Sequence, residues 1–374
     1  MKDILRLFKY SSIIIWDFFL QREKVYDNKQ HILAAANWLL EAQKQTWTWW
    51  YSVKFSIFRW WDVPYPETTG YIIPTLYEVY RYTGDKKYFD SILKAWEWLL
   101  KIQMSNWAWG DSVKNYPAIF DTWQIIFWLI KLYEITNDEK YLISAERWGD
   151  FIVDNQEKDW SWIKYAFNKQ PHTYYSRVSW ALLELWKITK EKKYKESAIK
   201  QLDRTLSELD DNYFSPKMSF FNDWNPVLHT IVYTARGLYE SWKILDEENY
   251  INAGKWIVDK LLEFYKWGKE LYAHFDKNWN TTCKFYCLTW MAQLSILWEK
   301  LYLDTKNKDY LFYAIKLNHF LKSTQNIETR DKNIRWGIKW SYPIYWKYMI
   351  WAYPNWAAKF FIDALLLEEK IKDL

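Results

Sequence analysis

The sequence has little cysteine and little glycine. Among its 374 residues there are two cysteines and eight glycines. Cys283 and Cys287 alone cannot build a disulfide framework, so we expect a reducing, cytoplasmic compartment. The two cysteines are four residues apart and would share one face of a helix. That spacing would suit two metal ligands, but we favour two small buried side chains and predict no metal and no other cofactor.

Long apolar runs, blocks of like charge and nucleotide-binding motifs are also absent from the sequence. Charged residues make up 26% of the chain and the net charge of +5 is dispersed, which argues against nucleic-acid binding. Residues 1–24 start with basic residues and contain an apolar stretch that Asp17 interrupts. We therefore predict an amphipathic helical extension, not a signal peptide or a membrane span. The helix could touch a membrane surface, but we favour packing on the domain, without stable membrane insertion.

Tryptophan stands where glycine is expected. The chain has thirty tryptophans, whereas about 7% glycine, or roughly 26 residues, is usual for this length. Trp279 follows an asparagine, where Asn-Gly is the usual turn dipeptide, and Trp224 and Trp267 lie in other turn clusters. We hypothesise that UGA codons read here as tryptophan are read as glycine in the source of the gene; the alternative is a tryptophan-rich protein that stacks sugars. The positions concerned are Trp47, Trp60, Trp96, Trp107, Trp123, Trp128, Trp148, Trp160, Trp186, Trp224, Trp242, Trp256, Trp267, Trp279, Trp290, Trp336, Trp340 and Trp346.

A repeat of about 55 residues runs through the chain. In five places a helix end and a short polar turn are followed by a tyrosine that opens the next helix, at Tyr88, Tyr141, Tyr194, Tyr250 and Tyr310. This spacing leaves room for two helices and two loops, which is typical of stacked helical hairpins. The first helix of each repeat is apolar nearly all round and the second is amphipathic. The pattern therefore predicts an inner and an outer helix in each repeat.

The repeats predict twelve helices in a closed ring. Inner helices are expected near 68–83, 121–135, 174–189, 227–243 and 286–304, and outer helices near 86–103, 138–155, 191–208, 248–266 and 308–324. Residues 29–43 resemble an outer helix without an inner partner, and residues 355–370 an inner helix without an outer one. Pairing these two closes the ring. We predict an all-α (α/α)6 toroid over residues 25–374, with the amino-terminal ends of its inner helices at one mouth.

Polar residues collect in the segments that enter the inner helices. Converging helix amino-termini offer unpaired N–H groups and positive dipole ends, which favour anionic ligands. Arg177 and Arg236 would bind a substrate carboxylate or, alternatively, pair with acidic residues of the mouth. The residues predicted to bind substrate are Asp62, Tyr65, His172, Tyr175, Arg177, Arg236, Gln293, Lys339, Tyr353, Asn355 and Lys359.

Four residues are candidates for the chemistry. Glu67 and Asp121 begin consecutive inner helices, which would allow a carboxylate pair for acid/base or nucleophilic work. An aspartate before threonine is, alternatively, an ordinary helix N-cap. His229 lies in the first turn of an apolar inner helix, one turn before Tyr233, where a hydrogen-bonded core histidine is an equal alternative to an acid/base group. We predict Glu67 and Asp121 as the acid/base residues, assisted by His229 or Tyr233.

A second motif closes three outer helices. It reads Gln43-xxx-Trp47-x-Trp49, Gln103-xxx-Trp107-x-Trp109 and Gln156-xxx-Trp160-x-Trp162. With the central tryptophan read as glycine, each becomes QxxxGxW, which resembles the QW repeat of squalene and hopene cyclases and their prenyltransferase relatives. In that family the glutamine caps a helix end and the tryptophan stacks beside it. The resemblance therefore implies an α/α barrel and no particular chemistry, and the aspartate-rich DxDD motif of those cyclases has no match here.

Over nearly its full length the chain resembles the six-hairpin glycosidase superfamily. The resemblance rests on the number of hairpins, the QxxxGxW ends and the polar residues at inner-helix starts. That superfamily includes unsaturated glucuronyl hydrolases, sugar epimerases and polysaccharide lyases, so the resemblance implies glycan substrates held by aromatic stacking. We expect an enzyme that acts on an acidic carbohydrate by hydrolysis, elimination or epimerisation. No catalytic signature of the superfamily aligns residue by residue.

Two other functions are left open by the sequence. Isoprenoid cyclisation predicts an apolar, aromatic mouth without an acid pair. A non-catalytic glycan-binding or scaffold role predicts that the Glu67→Gln and Asp121→Asn variants bind substrate normally and that the parent chain turns nothing over. The reaction type, the sugar and the oligomeric state do not follow from the sequence.

Overall fold

A computed structural model describes residues 2–46, 50–101, 118–346 and 349–374 of the chain. These residues form thirteen α-helices. They are α1 Lys2–Phe18, α2 Asn28–Lys44, α3 Pro66–Thr83, α4 Lys86–Lys101, α5 Ile119–Thr136, α6 Glu139–Asp154, α7 Ser176–Thr189, α8 Lys192–Ser207, α9 Leu228–Leu245, α10 Glu248–Lys266, α11 Leu288–Thr305, α12 Lys308–Lys322 and α13 Asn355–Lys372. The twelve helices predicted for the ring are all present, and their bounds agree with the prediction within two residues.

A left-handed residue ends each of five inner helices and reverses the chain. The residues are Gly84 (φ 71°), Asn137 (54°), Lys190 (59°), Asp246 (60°) and Lys306 (57°). In each case the backbone N–H of this residue donates to a carbonyl of the last helical turn, which satisfies a helix-end acceptor. The polar turns of the sequence repeat are therefore helix C-caps that lead directly into the outer helices.

The repeated tyrosines join neighbouring outer helices. The Tyr194 hydroxyl donates to Asp150 of α6 at 2.7 Å, and the Tyr250 hydroxyl donates to Asp203 of α8 at 2.7 Å. Burial and the adjacent carboxylate both raise the pKa of Tyr194, so its hydroxyl stays protonated and keeps donating. The tyrosines at the starts of α8 and α10 therefore have a structural role in the repeat, which accounts for their spacing.

The QW-like motif has a structural role as well. The Gln43 side chain donates to the Ser91 carbonyl at 2.9 Å and accepts from the Ser91 hydroxyl at 2.7 Å. Gln156 makes the same pair of bonds with Ser197, at 3.1 and 2.8 Å. The buried Trp162 indole donates to the Ile152 carbonyl at 2.8 Å. Each glutamine thus fixes the end of its helix to the next outer helix. The Gln103 motif, and Trp47 and Trp49, lie outside the described residues.

The chain divides into two compact units, one formed by residues 1–100 and 284–374 and the other by residues 101–283. In the first unit α13 packs against α2, α3 and α11, and α11 packs against α12. The pairing of the first and last helices of the predicted ring is confirmed. In the second unit α5, α7 and α9 pack against α6, α8 and α10 respectively, and α7 lies between α5 and α9.

Short strands connect distant segments of the first unit. Strand β1 (Lys54–Ser56) pairs antiparallel with β2 (Trp60–Trp61) and with β5 (Ala352–Pro354). A second antiparallel pair joins β3 (Tyr286–Cys287) to β4 (Ser341–Tyr342). The sheet of β1, β2 and β5 brings the loop before α3 against the loop before α13, so the starts of two inner helices are held together.

Helix α1 packs on the first unit through a buried ion pair. The Lys339 ammonium contacts the Asp17 carboxylate, and both side chains are buried. Asp17 also accepts the Ile344 backbone N–H at 3.0 Å. Lys339, which the sequence analysis assigned to substrate binding, is occupied by this contact and is removed from the site. The opposite side of α1 exposes Phe8 and Ile15. No helix in the described part of the chain is both long and apolar enough to cross a bilayer.

Candidate functional site

In the first unit, several predicted substrate-binding residues hold the loops together. Asn355 donates to the Ser52 carbonyl and to the Thr68 hydroxyl, each at 3.0 Å. The buried Tyr353 hydroxyl donates to Asn326 at 2.8 Å, and burial raises the pKa of Tyr353 well above its usual value. These bonds fix β5 and the start of α13 against neighbouring segments. Asn355 and Tyr353 therefore have structural roles in the first unit.

Asp62 is partly exposed, and its carboxylate lies 3.0 Å from the Lys54 ammonium on β1. The Asp62 carboxylate also accepts the Val63 N–H at 2.8 Å. The hydrogen bonds from Lys54 and Val63 outweigh burial and lower the pKa of Asp62. Asp62 stabilises the loop before α3. Because its carboxylate is an anion at neutral pH, it is not suited to bind an anionic sugar.

A line of polar contacts joins α13 to α3. The Lys359 ammonium contacts the Asp363 carboxylate and lies 4.2 Å from the centre of the Phe360 ring. The Asp363 carboxylate accepts the Thr75 hydroxyl at 2.7 Å. The side chains of Lys359 and Asp363, both on α13, keep 12% and 27% exposure. This ion pair can therefore meet solvent or a ligand, unlike the pair of Lys339.

Glu67 lies in the first turn of α3, where the helix dipole stabilises a carboxylate, and its side chain is half-buried. Tyr65 precedes that turn as the helix N-cap residue. On α11, the Gln293 amide and the Thr289 hydroxyl lie one turn apart and are buried. In the described residues neither has a hydrogen-bond partner. Because buried polar groups are nearly always bonded, these two side chains are suited to a ligand or an ordered water.

In the second unit, three predicted site residues come together at the start of α7 and α9. The Arg177 guanidinium lies 4.1 Å from the centre of the Tyr233 ring and 4.5 Å from that of Trp123. The His229 and Tyr233 rings are 4.0 Å apart, and Phe120 lies 6.1 Å from Tyr233 in a stacked arrangement. Arg177 and Tyr233 are buried, whereas His229 keeps partial exposure. We call Phe120, Trp123, Arg177, His229 and Tyr233 the arginine–aromatic cluster.

A glycine allows α9 to approach the start of α7 closely. A Cβ atom on Gly237 would lie 2.2 Å from the Ser176 hydroxyl and 2.6 Å from the Arg177 backbone nitrogen. The Ser176 hydroxyl also donates to the Thr234 carbonyl of α9 at 3.1 Å. This contact requires glycine and places the Arg177 side chain beside the ring of Tyr233.

A second arginine lies one turn further along α9. The Arg236 Nε donates to the Glu240 carboxylate at 2.6 Å. The guanidinium groups of Arg236 and Arg177 each lie 5.5 Å from the centre of the Trp180 ring. The Trp180 indole donates to Glu184 at 3.1 Å, which fixes the ring. Two cations thus share one aromatic side chain, a combination suited to an anionic ligand.

His172 and Tyr175 have structural roles in the second unit. The His172 ring nitrogens lie 3.1 Å from the Ser219 carbonyl oxygen and 2.9 Å from that of Phe167. Burial lowers the pKa of His172 to about 4, so the ring is neutral at pH 7. The buried Tyr175 hydroxyl accepts the Phe167 N–H at 3.0 Å. Both side chains hold the loop before α7 in place.

Asp121 is the third residue of α5, and its side chain lies outside the described part of the structure. Glu67 and Asp121 belong to different units, so their pairing stays a prediction. Sequence reasoning missed three contributors to the site: Trp180, Glu240 and Gly237. The i,i+4 spacing of Arg236 and Glu240 was a usable signal for an ion pair. Gly237 carries no such local signal, because its partner Ser176 lies on another helix. Trp180 bonds to Glu184 of its own helix, but the Arg236 guanidinium that it contacts lies on α9.

Comparisons with known proteins agree with this fold. The sequence profile of Glycosyl Hydrolase Family 88 matches residues 38–221, slightly less than half of the chain. A search of curated proteins gave no significant match. An unsaturated glucuronyl hydrolase specific for heparin is similar in structure, with 16% identity, a TM-score of 0.73 and coverage of 93% of this chain and 98% of its own.

Two further solved structures are similar over most of the chain. A D-mannose isomerase has 13% identity and a TM-score of 0.67, with coverage of 92% of this chain and 97% of its own. The cellobiose 2-epimerase of Bacillus thermoamylovorans has 12% identity and a TM-score of 0.64, with coverage of 88% and 95%. The predicted fold class, an all-α (α/α)6 toroid, is confirmed.

Proposed function

We propose that this protein is a carbohydrate-active enzyme that hydrolyses an oligosaccharide or polysaccharide containing uronic acid. The observation that carries the proposal is the arginine–aromatic cluster, in which Arg177 lies 4.1 Å from the Tyr233 ring centre beside a partly exposed His229. The match to a glycosyl hydrolase family over residues 38–221 and the similarity to an unsaturated glucuronyl hydrolase support it.

The cluster has the chemical groups that an acidic sugar requires. Aromatic rings contact the apolar faces of a pyranose, and a guanidinium group binds a carboxylate through two parallel hydrogen bonds. Arg177 and Arg236 would supply this charge around Trp180. In the proposal the predicted acid/base residues Glu67 and Asp121 exchange protons with the substrate, and His229 or Tyr233 assists.

Epimerisation is the second candidate reaction. The adjacent rings of His229 and Tyr233, 4.0 Å apart, form a pair of acid/base groups that could move a proton without a carboxylate. The similar D-mannose isomerase and cellobiose 2-epimerase structures favour keeping this alternative. Isoprenoid cyclisation is disfavoured because it requires an apolar site. The charged side chains of Arg177, Arg236 and Glu240 lie around Trp180. The low cysteine content, two residues in the whole sequence, fits the proposed cytoplasmic location.

Uronic-acid oligosaccharides with and without a terminal C=C bond test the proposed function. Loss of the ultraviolet absorbance of the C=C bond indicates removal of an unsaturated sugar, and its gain indicates elimination. New reducing ends alone indicate hydrolysis of a saturated substrate, and a changed NMR spectrum without cleavage indicates epimerisation. We expect cleavage, and we expect Glu67→Gln and His229→Gln to lower kcat by about 10²–10⁴-fold.

Matched controls for these variants lie on outer helices. Glu196 of α8 and His319 of α12 are exposed, and their change to glutamine should leave kcat unaltered. If the parent chain bound the oligosaccharides without turning them over, the result would contradict the proposed enzyme and indicate a glycan-binding protein. Unchanged kcat in both Glu67→Gln and His229→Gln would remove these residues from the proposed chemistry.

A further inference from the structure

In the described parts of the chain, five tryptophans adopt a backbone conformation that favours glycine. A positive φ is rare for any residue with a Cβ and is an outlier for one with a bulky side chain. The tryptophans concerned are Trp60 (φ 71°), Trp160 (68°), Trp279 (60°), Trp336 (75°) and Trp351 (63°). The first four are among the eighteen positions that the sequence analysis assigned to glycine. Backbone geometry therefore supports, independently of composition, the reading of these positions as glycine.

Two of the assigned positions also differ from other tryptophans in the hydrogen bonding of the indole N–H. The indole N–H groups of Trp123 and Trp242, both assigned to glycine, are buried and have no acceptor among the residues that the structure describes. By contrast, Trp38 and Trp162 are not among the eighteen positions. Their indoles donate to the carbonyls of Asn333 and Ile152 at 2.9 and 2.8 Å. A buried indole N–H normally has a partner, so Trp38 and Trp162 fit their sites and Trp123 does not.

Trp123 occupies a position that matters for the site. It lies on the first turns of α5 and is fully buried. The Arg177 guanidinium lies 4.5 Å from its ring centre. The Tyr233 and Phe127 rings contact it edge to face, with centroid distances of 6.2 and 5.6 Å. The indole therefore fills the space that Arg177 and Tyr233 enclose.

We propose that the natural protein carries glycine at residue 123, and that the volume now filled by the indole is a binding subsite for the carboxylate-bearing ring of a sugar. The proposal of a subsite rests on the proposed function. Glycine at this position would expose the guanidinium of Arg177 and the ring of Tyr233 to the same volume. A uronate offers a carboxylate to the first and an apolar ring face to the second. A buried setting strengthens the charge interaction relative to water.

Peptide mass spectrometry of the protein from its own cells tests the identity of residue 123. We expect peptides covering residues 123, 160, 279 and 336 to be lighter by the mass difference between tryptophan and glycine at each of these positions. Peptides covering Trp38 and Trp162 serve as controls and should retain tryptophan. Tryptophan at residues 123, 160, 279 and 336 of the natural protein would overturn the reading as glycine.

Binding of D-glucuronate, with D-glucose as the neutral probe, tests the subsite. The Trp123→Gly variant should bind glucuronate about tenfold or more tightly than the chain with Trp123, because one charge-assisted bond becomes available. The Trp128→Gly variant is the matched control, since it makes the same substitution five residues further along α5 and should not gain affinity. Adding Arg177→Lys to Trp123→Gly should abolish most of the gain, while circular dichroism verifies folding.

The possible outcomes separate the subsite from the enzyme. Equal affinity of the Trp123→Gly and Trp128→Gly variants, or an equal gain for glucose, would overturn the subsite. If either of these results were found and the protein still turned over uronic-acid oligosaccharides, the subsite would be wrong but the proposed function would stand. Tighter glucuronate binding without turnover would support the subsite and contradict the proposed hydrolysis.

Discussion

Replacing Trp162 with glycine is expected to lower the free energy of unfolding by about 3–5 kcal/mol, because a buried aromatic side chain is removed. The same replacement at Trp160 is expected to raise it by about 1 kcal/mol. Trp162 is 1% exposed and its indole donates to the Ile152 carbonyl at 2.8 Å. Trp160 is 43% exposed and has a φ of 68°.

The two effects have opposite signs because Trp162 stabilises the fold by buried packing, whereas Trp160 has an unfavourable backbone conformation. At Trp160 the left-handed conformation costs roughly 1–2 kcal/mol for a residue with a Cβ, and glycine removes this cost. The Lys200 ammonium, 4.3 Å from the Trp160 ring centre, offsets part of the gain, by about 0.5–1 kcal/mol for an exposed contact. Urea unfolding followed by circular dichroism measures both variants. Equal destabilisation by the two changes would show that Trp160 belongs to the packed structure as much as Trp162 does.

Removing the charge of Lys339 is expected to cost about 3–5 kcal/mol of unfolding free energy, because it leaves the Asp17 carboxylate buried without its partner. Both side chains are 1% exposed or less. In a Lys339→Met variant we expect α1 to detach from the first unit, which limited proteolysis between α1 and α2 would detect. The position is not part of the proposed chemistry, so the loss should be one of stability.

A compensating change tests the origin of this loss. Asp17→Asn removes the charge and keeps an oxygen that can accept the Ile344 N–H, now bonded at 3.0 Å. The Asp17→Asn/Lys339→Met double variant should therefore recover much of the stability that Lys339→Met loses. A loss below about 1 kcal/mol in the single variant, typical of an exposed ion pair, would mean that water reaches Asp17 and that the pair does not anchor α1.

The helices could be predicted from the sequence because the signals for them are local. Apolar periodicity, the polar turns and the repeated tyrosines lie within one or two helical turns of the boundaries that they mark. Even the pairing of α2 with α13 followed from counting helices without partners. The role of Tyr194 in joining outer helices could not be predicted, because its acceptor Asp150 lies 44 residues earlier in the chain.

The candidate site was predicted only in part, for the same physical reason. Arg177, His229 and Tyr233 come together because they occupy the first turns of adjacent inner helices, which the sequence repeat already implied. His172 and Lys339 were polar residues in the same loops, yet their partners come from distant segments. One ring nitrogen of His172 lies 3.1 Å from the Ser219 carbonyl oxygen, and Lys339 contacts Asp17 of α1. A sequence pattern shows which loops are polar but not which polar groups already have partners.

The two units differ in the order in which their helices are synthesised. The unit of residues 101–283 is continuous in the chain, so its helices can be completed before residues 284–374 are made. The other unit combines residues 1–100 with residues 284–374, and α13 packs against α2, α3 and α11. Until α13 has been translated, α2 and α3 have no α13 to cover their apolar sides, and that surface is exposed during this interval.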